Sequence, residues 1–125
     1  MGRKSLIALA VVAGVVVSGA VSMWAQAPAP KKAYFLVQSD VTNPTQYAEY
    51  AKLTPAVVEK FGGRFLTRGG QSATLEGRPA PSRVVVIEFP SYDRAQAFYT
   101  SAEYQKVKKM REGAATLQVV IVEGL

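Results

Sequence analysis

The chain has 125 residues, 49% of them hydrophobic, and carries a formal net charge of +6. That length is enough for one domain and too short for two. The sequence contains no cysteine and no histidine, which excludes disulfides, a lipid-anchoring cysteine, cysteine nucleophiles, histidine-based triads and the usual ligands of zinc, copper and haem. We therefore predict neither a metal nor an organic cofactor.

Residues 1–27 have the three regions of a secretory signal peptide. Arg3 and Lys4 supply the basic start, an uncharged apolar run extends over 6–23, and Ala25-Gln26-Ala27 matches the small-residue cleavage pattern. This segment predicts export to the periplasm or to the exterior. The apolar run also just reaches the length of a membrane span, so an uncleaved anchor that tethers the protein to a membrane is the alternative.

A Pro/Ala-rich linker at 28–32 separates this segment from a single predicted domain at 33–125. Loss of the signal peptide removes two basic residues and no acidic one, which leaves a net charge of about +4. Four basic residues cluster between Lys106 and Arg111, but no aromatic residues alternate with them as nucleic-acid binding would require. We interpret this cluster as a solvated helix face and predict no nucleic-acid partner.

The first predicted elements of the domain are a strand at Ala33–Ser39 and a helix after it. Asn43 is a suitable helix cap, and Gln46 lies where the polar partner of a capping box belongs. Apolar and tyrosine side chains recur at three-and-four spacing through this helix, as a buried face requires. Pro55 predicts a kink or a break just before it, and Gly62-Gly63 predicts the end of the helix in a left-handed turn.

The rest of the chain predicts three further main strands, one short strand and a second helical stretch. Ser91 is the predicted cap of the second helix, and a further helical segment begins near Ser101 and extends to about Ala114. Gly69-Gly70 marks the turn that ends the predicted strand Arg64–Arg68. The strands are Arg64–Arg68, a short extra one at Ala73–Glu76, Arg83–Phe89 and Leu117–Glu123.

The order βαββαβ predicts an α+β fold of the ferredoxin-like type, with an antiparallel sheet and both helices on one face. Alternation along the strands separates two sets of side chains. The purely apolar set, which includes Val85, Ile87 and Phe89 on the third main strand and Val120 and Val122 on the last, is predicted to face the helices. The other set is apolar with charges at its edges, so we expect it to face the sheet of a second subunit in a homodimeric α/β barrel, with Arg64, Arg68 and Glu88 near the barrel interior.

Seven short blocks of residues distributed over the predicted domain carry a family resemblance. They are Asp40-Val41-Thr42-Asn43-Pro44, Phe61 to Gly70, Leu75-Glu76-Gly77, Arg83 to Pro90, Ser101 to Tyr104, Arg111 to Ala115, and Ile121 to Gly124. In this order they resemble the domain-of-unknown-function 1330 (DUF1330) family over about 34–125. The resemblance implies a dimeric barrel of ferredoxin-like subunits, in a superfamily that includes cofactor-free monooxygenases, muconolactone-isomerase-like enzymes and haem-dependent chlorite dismutases. The lack of histidine argues against the haem branch.

Three arginines and a glutamate form the first group of candidate site residues. Arg64, Arg68 and Arg83 are candidate ligand-binding residues, because a guanidinium in a cleft binds a carboxylate or an enolate in bidentate fashion. Glu88, partly desolvated, would have a raised pKa and serve as a catalytic base. The alternative is a structural ion pair between the second and third strands, with its polar groups satisfied at the dimer interface.

Four tyrosines and one arginine form the second group. Tyr47, Tyr50, Tyr99 and Tyr104 are candidate ligand-binding residues, because phenol groups at the mouth of a cleft orient a small aromatic or keto compound by hydrogen bonds. In the alternative they are only the flanks of two amphipathic helices. Arg111 either reaches the cleft or binds the last carbonyl groups of its own helix.

Together these features predict an exported homodimer that binds a small anionic or aromatic molecule between its helices and its sheet. A cofactor-independent isomerase or monooxygenase activity is one form that this function could take. Two alternatives stay open at this point: a non-enzymatic structural, stress or interaction protein whose barrel is packed, and a membrane-tethered binding module. A cavity lined by Arg64, Arg68 and Glu88 would favour binding or catalysis over the packed barrel.

Overall fold

The structure, a computed structural model, describes residues 29–79, 81 and 83–125. The predicted signal peptide lies outside these residues. The elements in chain order are β1 (Ala33–Val41), α1 (Pro44–Lys60), β2 (Arg64–Arg68), β3 (Arg83–Phe89), α2 (Tyr92–Thr100), α3 (Ala102–Lys108), a 3₁₀ turn (Lys109–Arg111) and β4 (Ala115–Glu123). This order confirms the predicted α+β, ferredoxin-like arrangement.

The four strands form one antiparallel sheet in the order β2-β3-β1-β4. β1 is central, because it pairs with β3 on one side and with β4 on the other, so that Phe35 lies opposite both Ile87 and Ile121. Side chains from all three helices join one core with one face of this sheet. On the other face, Val120 is 44% exposed and Val122 is 46% exposed. We call this second surface the open face.

The core lies between the helices and the facing side of the sheet. Phe98 of α2 packs edge-on against Phe35 with the ring centroids 5.4 Å apart, and its ring also lies 5.2 Å from that of Phe89. Val85, Ile87 and Phe89 of β3 are all buried in this core. The prediction that the purely apolar set faces the helices is therefore confirmed for β3, and it follows from the two-residue repeat of a strand. It is wrong for β4, where Val120 and Val122 lie on the open face, because the register with β1 places Val119 and Ile121 on the core side.

Helix α1 begins and ends where the sequence predicts. The Asn43 side-chain oxygen accepts a hydrogen bond from the Gln46 backbone N–H at 3.1 Å, and Gly62 closes the helix with a left-handed φ of 79°. Of the kink or break predicted before Pro55, the break is wrong, because the helix continues through this residue to Lys60. The carbonyl group that the proline leaves without a helix partner is bound by a side chain from β2, as described below.

Two other predicted boundaries differ from the structure. Residues 73–76, predicted as a short strand, lie in an exposed loop. The second helical stretch ends at Arg111 and not near Ala114, because Gly113 turns the chain with a φ of 77° and the Ala114 carbonyl accepts two N–H groups from the segment before α1. Strand β4 consequently begins at Ala115, ahead of its predicted start.

Strand β2 contains a β-bulge that changes the face presented by its second half. The register with β3 shifts after Phe65, which makes Leu66 the extra residue. Arg64 remains on the open face, but Arg68 lies opposite Val85 on the helix-facing side. The prediction that these two arginines share a face near the barrel interior is wrong for Arg68, because one extra residue shifts the alternation by one.

Candidate functional site

A small cavity lies between α1 and the helix-facing side of the sheet. The volume within which the centre of a water molecule can lie is about 30 Å³. This is room for about two waters. Its walls combine aromatic and aliphatic side chains with hydroxyl and guanidinium groups. The lining residues that supply these polar groups are Tyr47, Tyr50, Thr54, Arg68, Arg83 and Tyr104.

An open groove of about 510 Å³ adjoins the cavity. Tyr50 and Tyr104 line only the cavity, and both are buried. The residues that line both spaces, and so mark the entrance from the groove to the cavity, are Tyr47, Ala51, Arg68 and Arg83. Both cationic groups therefore lie at the entrance, with the phenol of Tyr47, and the phenol groups of Tyr50 and Tyr104 lie inside.

Arg68 reaches the entrance because the bulge in β2 places it on the side of α1. Its guanidinium carbon lies 4.7 Å from the ring centroid of Phe65, and its Nη2 atom donates a 2.6 Å hydrogen bond to the Ala51 carbonyl. That carbonyl lacks its usual helix partner, because Pro55, four residues later, has no N–H. Arg68 thus replaces the missing helix hydrogen bond and retains further N–H groups for other partners.

Arg83, the first residue of β3, lies on the other side of the entrance. Its guanidinium carbon is 5.9 Å from the ring centroid of Tyr47, and its buried Nε atom has no hydrogen-bond partner among the described residues. Within the part of the chain that the structure describes, neither Arg83 nor Arg68 forms an ion pair with a carboxylate. The guanidinium of Arg83 is partly desolvated and has no anion, which is unfavourable, and that of Arg68 lies beside the same entrance, so an acidic ligand suits this pair of cations.

The hydroxyl groups of Tyr50 and Tyr104 meet inside the cavity at 2.6 Å. Burial, followed by the interaction with Tyr104, raises the pKa of Tyr50 well above its usual range. Tyr50 therefore stays protonated at neutral pH and acts as a hydrogen-bond donor or acceptor, not as a base. The inner end of the cavity is suited to bind a carbonyl or phenol oxygen.

Arg111 lies behind this tyrosine pair. Its guanidinium carbon is 5.2 Å from the ring centroid of Tyr50. Burial lowers the pKa of Arg111, but interactions with the hydroxyl groups of Tyr104 and Tyr50 outweigh that effect and raise it above its ordinary value. Of the two roles considered for Arg111, contact with the cleft tyrosines is the one that the geometry supports.

Gln46 holds the turn that carries Arg111. Its side-chain amide donates hydrogen bonds to the backbone carbonyl groups of Met110 and Glu112, at 3.0 and 2.8 Å. Gln46 lies at the predicted capping-box position. Its amide group nevertheless donates to this neighbouring turn, because the turn packs beside α1. One residue thereby connects the beginning of the helix to the back of the cavity.

Arg64 and Glu88 lie together on the open face of the sheet, away from the cavity. Oε1 of Glu88 is 3.0 Å from Nε of Arg64 and 3.3 Å from Nζ of Lys32. Desolvation raises the pKa of Glu88, but these hydrogen bonds and the two positive charges outweigh it and lower the pKa below its ordinary value. The predicted raised pKa is therefore wrong, and a carboxyl group of lowered pKa is a poor base. The ion pair between β2 and β3, the alternative interpretation, is present.

Tyr99 supports the site without lining the cavity. Its ring centroid lies 6.0 Å from that of Phe35 and 5.5 Å from that of Tyr104, and the ammonium group of Lys108 lies over its outer side at 5.2 Å. Tyr99 is thus part of the packing behind Tyr104, which is what the helix-flank interpretation predicts for it.

Three polar contributions to the site are missing from the sequence-based set. They are the backbone carbonyl of Ala51 at the entrance, the hydroxyl group of Thr54 in the cavity and the side chain of Lys52 in the groove. A proline four residues after Ala51, inside a predicted helix, is the signal that would have identified the unpaired carbonyl. Lys52 has no such signal, because an exposed lysine on a helix has the same pattern whether or not a groove adjoins it.

The polar chemistry of this site comes from guanidinium and phenol groups. Over the described ranges, no three His, Cys, Asp or Glu residues come close enough together to hold a metal ion. No helix in those ranges is long and apolar enough to cross a membrane.

Several solved structures share this fold. A protein of unknown function from Rhodopseudomonas palustris superimposes with a TM-score of 0.61 at 19% identity, covering 86% of this chain and 92% of that one. SnoaB, a cofactor-independent oxygenase from Streptomyces nogalater, has a TM-score of 0.56 at 12% identity, with 76% and 94% covered. A dimeric protein of unknown function and ferredoxin-like fold from Bacteroides fragilis has a TM-score of 0.53 at 10% identity, with 78% and 100% covered. At these identities the likeness shows the fold alone.

The sequence comparisons agree with the fold. The model of one protein family, Domain of unknown function (DUF1330), matches residues 32–125. This range includes every strand and helix of the structure. A comparison with curated proteins found no match.

Proposed function

We propose that this chain, which belongs to the DUF1330 family, binds a small anionic molecule with a planar aromatic or enolate body. The observation that carries the proposal is the entrance of the cavity, where Arg68 and Arg83 have no carboxylate partner among the described residues. Two uncompensated guanidinium groups at the boundary of a partly apolar space match an acidic ligand.

The dimensions of the site indicate how such a ligand would lie. The cavity holds about two waters, whereas the adjoining groove is much larger. The body of the ligand therefore occupies the groove, with its acidic group between Arg68 and Arg83. An oxygen atom of the ligand that enters the cavity would accept a hydrogen bond from the pair formed by Tyr50 and Tyr104.

Catalysis by this site is the second candidate function, in the form of a cofactor-independent oxygenase or isomerase. A similar fold occurs in SnoaB, which is described as a cofactor-independent oxygenase. Guanidinium groups at the entrance and a protonated Tyr50 inside would stabilise the negative charge that develops on an enolate. Oxygen uptake, or a change in the ultraviolet spectrum of a bound phenolic compound, distinguishes turnover from binding alone.

Two non-catalytic hypotheses compete with this proposal. In the first, the interior is simply packed and the protein has a structural, stress or interaction role, which the small volume of the cavity favours. In the second, the domain is a binding module tethered to a membrane by residues 1–27. Detection of a ligand at the Arg68–Arg83 entrance counts against the first, and loss of 1–27 from the mature protein counts against the second.

The proposal includes a homodimer in an exported protein. The open face has exposed Val120 and Val122, and a protein of similar fold is described as dimeric. A second sheet packed on this face would bury these residues and complete a barrel. The basic and apolar segments of 1–27 favour secretion to the periplasm or the exterior.

The test uses benzoate as the anionic probe and benzamide as its uncharged counterpart. We expect benzoate to shift the backbone amide signals of Tyr47, Ala51 and Arg68 in NMR titrations, and benzamide to bind at least about 10-fold more weakly, because it cannot pair with two guanidinium groups. Arg68→Ala and Arg83→Ala should each weaken benzoate binding by about 10-fold or more.

Arg78→Ala is the matched control, because Arg78 is an exposed arginine that does not line the cavity or the groove. This variant should bind benzoate as the wild type does. The proposal fails if benzoate causes no shifts around the entrance, or if Arg78→Ala weakens binding as much as Arg68→Ala.

A further inference from the structure

The interior of α1 contains a proline where a helix ordinarily has a hydrogen-bond donor. Pro55 lies inside the helix that extends from Pro44 to Lys60. Because proline has no N–H, the carbonyl of Ala51, one turn earlier, cannot receive its regular helix hydrogen bond. This carbonyl lies at the entrance of the cavity, since Ala51 lines both the cavity and the groove.

The acceptor left by Pro55 is used by a residue of the proposed site. Nη2 of Arg68 donates to the Ala51 carbonyl at 2.6 Å, and the plane of the Phe65 ring supports the same guanidinium at 4.7 Å. A charged donor on a neutral carbonyl forms a strong hydrogen bond. The side chain of Arg68 is otherwise exposed, so these two contacts determine where its charge lies.

We propose that Pro55 is a positioning residue that holds Arg68 at the entrance by keeping the Ala51 carbonyl available. The guanidinium has five N–H donors, so a bond from Nη2 to the carbonyl leaves others for an acidic ligand. An arginine that is already ordered loses less side-chain entropy on binding than a free one. The expected effect on ligand binding rests on the proposed function. The link between Pro55 and Arg68 depends only on the hydrogen bond to the Ala51 carbonyl.

The test replaces the proline with a residue that restores the donor. In Pro55→Ala, the new N–H can form the helix hydrogen bond to Ala51, which competes with Arg68 for this carbonyl. We expect the thermal unfolding midpoint to stay the same or to rise, and benzoate binding to weaken by about 3- to 10-fold. If Pro55 had a purely structural role, Pro55→Ala would not weaken benzoate binding in a protein whose unfolding midpoint is unchanged or higher.

A double-mutant cycle in stability makes the test independent of any ligand. Arg68→Ala should lower the unfolding midpoint at least about twice as much in the wild type as in the Pro55→Ala background. When Pro55 is present, the substitution leaves the Ala51 carbonyl unpaired, whereas in Pro55→Ala the new backbone N–H still binds it. Pro44→Ala is the matched control, since a proline at the first helical position withholds no helix donor. In the Pro44→Ala background, Arg68→Ala should lower the unfolding midpoint as much as it does in the wild type.

The outcomes separate the inference from the proposed function. Coupling between Pro55 and Arg68 without any benzoate binding in the wild type would support the positioning contact and reject the ligand class. Benzoate binding that Pro55→Ala leaves unchanged would overturn the inference while the proposed function stands. Equal effects of Arg68→Ala in the wild-type and Pro55→Ala backgrounds would overturn it as well.

Discussion

At the scale of single residues, two arginines of one short strand have opposite roles. Arg64 pairs with Glu88 on the open face of the sheet, where Lys32 also contacts the carboxylate. Arg68 lies on the other face and donates to a backbone carbonyl at the cavity entrance. The first arginine is neutralised by an acid, and the second is left with hydrogen-bonding capacity for a ligand. The chemistry of each depends on the charge of its neighbours and not on the residue type.

The pairing of Glu88 has a consequence for stability in acid. Because the folded protein lowers the pKa of Glu88, its contribution to stability is present above its unfolded pKa and is lost as the pH falls through the lower folded pKa. We expect the free energy of unfolding of the wild type to decrease below about pH 4.5. Glu88→Gln should reduce that decrease, as measured by urea unfolding at several pH values.

Glu76→Gln provides the control for this measurement. Glu76 is in an exposed loop and forms no ion pair with another described residue. Its replacement should leave the acid dependence as it is in the wild type. An identical acid dependence in Glu88→Gln and the wild type would show that the ion pair with Arg64 does not contribute.

At the scale of elements, the connection from α1 to β2 sets the position of the site. The helix ends in a turn in which the Gly62 N–H binds the Glu59 carbonyl and the Gly63 N–H binds the Val58 carbonyl. This is the hydrogen-bond pattern of a Schellman motif. The strand that follows begins immediately after Gly63, and its arginine at position 68 reaches back to the carbonyl of Ala51.

Close packing at this turn predicts a large effect for a small substitution. A Cβ atom at Gly63 would lie 2.7 Å from the ring of Phe89 and 2.8 Å from Cγ1 of Val58, both of which are buried. Gly63→Ala should therefore destabilise the fold by about 1–3 kcal/mol, because buried side chains must shift to accommodate it. Chemical denaturation monitored by tyrosine fluorescence measures this change.

Gly70→Ala is the matched substitution in the loop after β2. A Cβ atom there meets no atom within 4 Å, so the free energy of unfolding should change by no more than about 0.5 kcal/mol. Comparable losses for Gly63→Ala and Gly70→Ala would contradict the packing argument.

At the scale of the whole molecule, the sheet has one face in the core and one face that no other described element of the chain covers. Tyr34, Leu36, Val84 and Val86 of β1 and β3 share the open face with Val120 and Val122 of β4. Apolar side chains in the middle of a sheet are costly to leave in water. The proposed homodimer gives this face a partner and leaves the cavity on the other side of the sheet accessible.

A charge in the middle of the open face should prevent this association. Val120→Lys places an ammonium group opposite Leu36 in the β1–β4 pair, where a dimer would bury it without a counter-ion. We expect the wild type to be a dimer and Val120→Lys a monomer in native mass spectrometry, with the helical circular dichroism signal retained.

Gln96→Lys adds the same charge on the exposed side of α2. This variant should remain dimeric. A wild-type monomer, or a Val120→Lys dimer as stable as that of the wild type, would reject the open face as the subunit interface. The same spectra, recorded on protein purified from its own compartment, also give the mass of the mature chain and hence the fate of 1–27.

Much of the architecture follows from local signals that act within a few residues. Asn43 and Ser91 cap the two main helices through their own side chains, and Gly62 ends the first one. These interactions depend on neighbours in the chain, so they are visible in the sequence. Capping and strand alternation were therefore sufficient to predict the order of elements and the helix-facing set on β3.

The candidate site was predicted less completely, because its geometry depends on contacts between distant segments. Both faces of β4 are largely apolar, and the rule that the purely apolar set faces the helices selected Val120 and Val122, whereas the register with β1 places Val119 on the core side. In β2 the bulge at Leu66 reverses the face of Arg68. Neither register has a signal within the strand itself.

The sequence by itself determined the fold class, the family and the residue types available for chemistry, because these depend on composition, spacing and local caps. Only the tertiary structure decided that Arg68 and Arg83 line one cavity with Tyr50 and Tyr104 while Glu88 lies on the opposite face of the sheet. The physical reason is that strand register and the pairing of a carbonyl freed by Pro55 are set by packing between segments far apart in the chain.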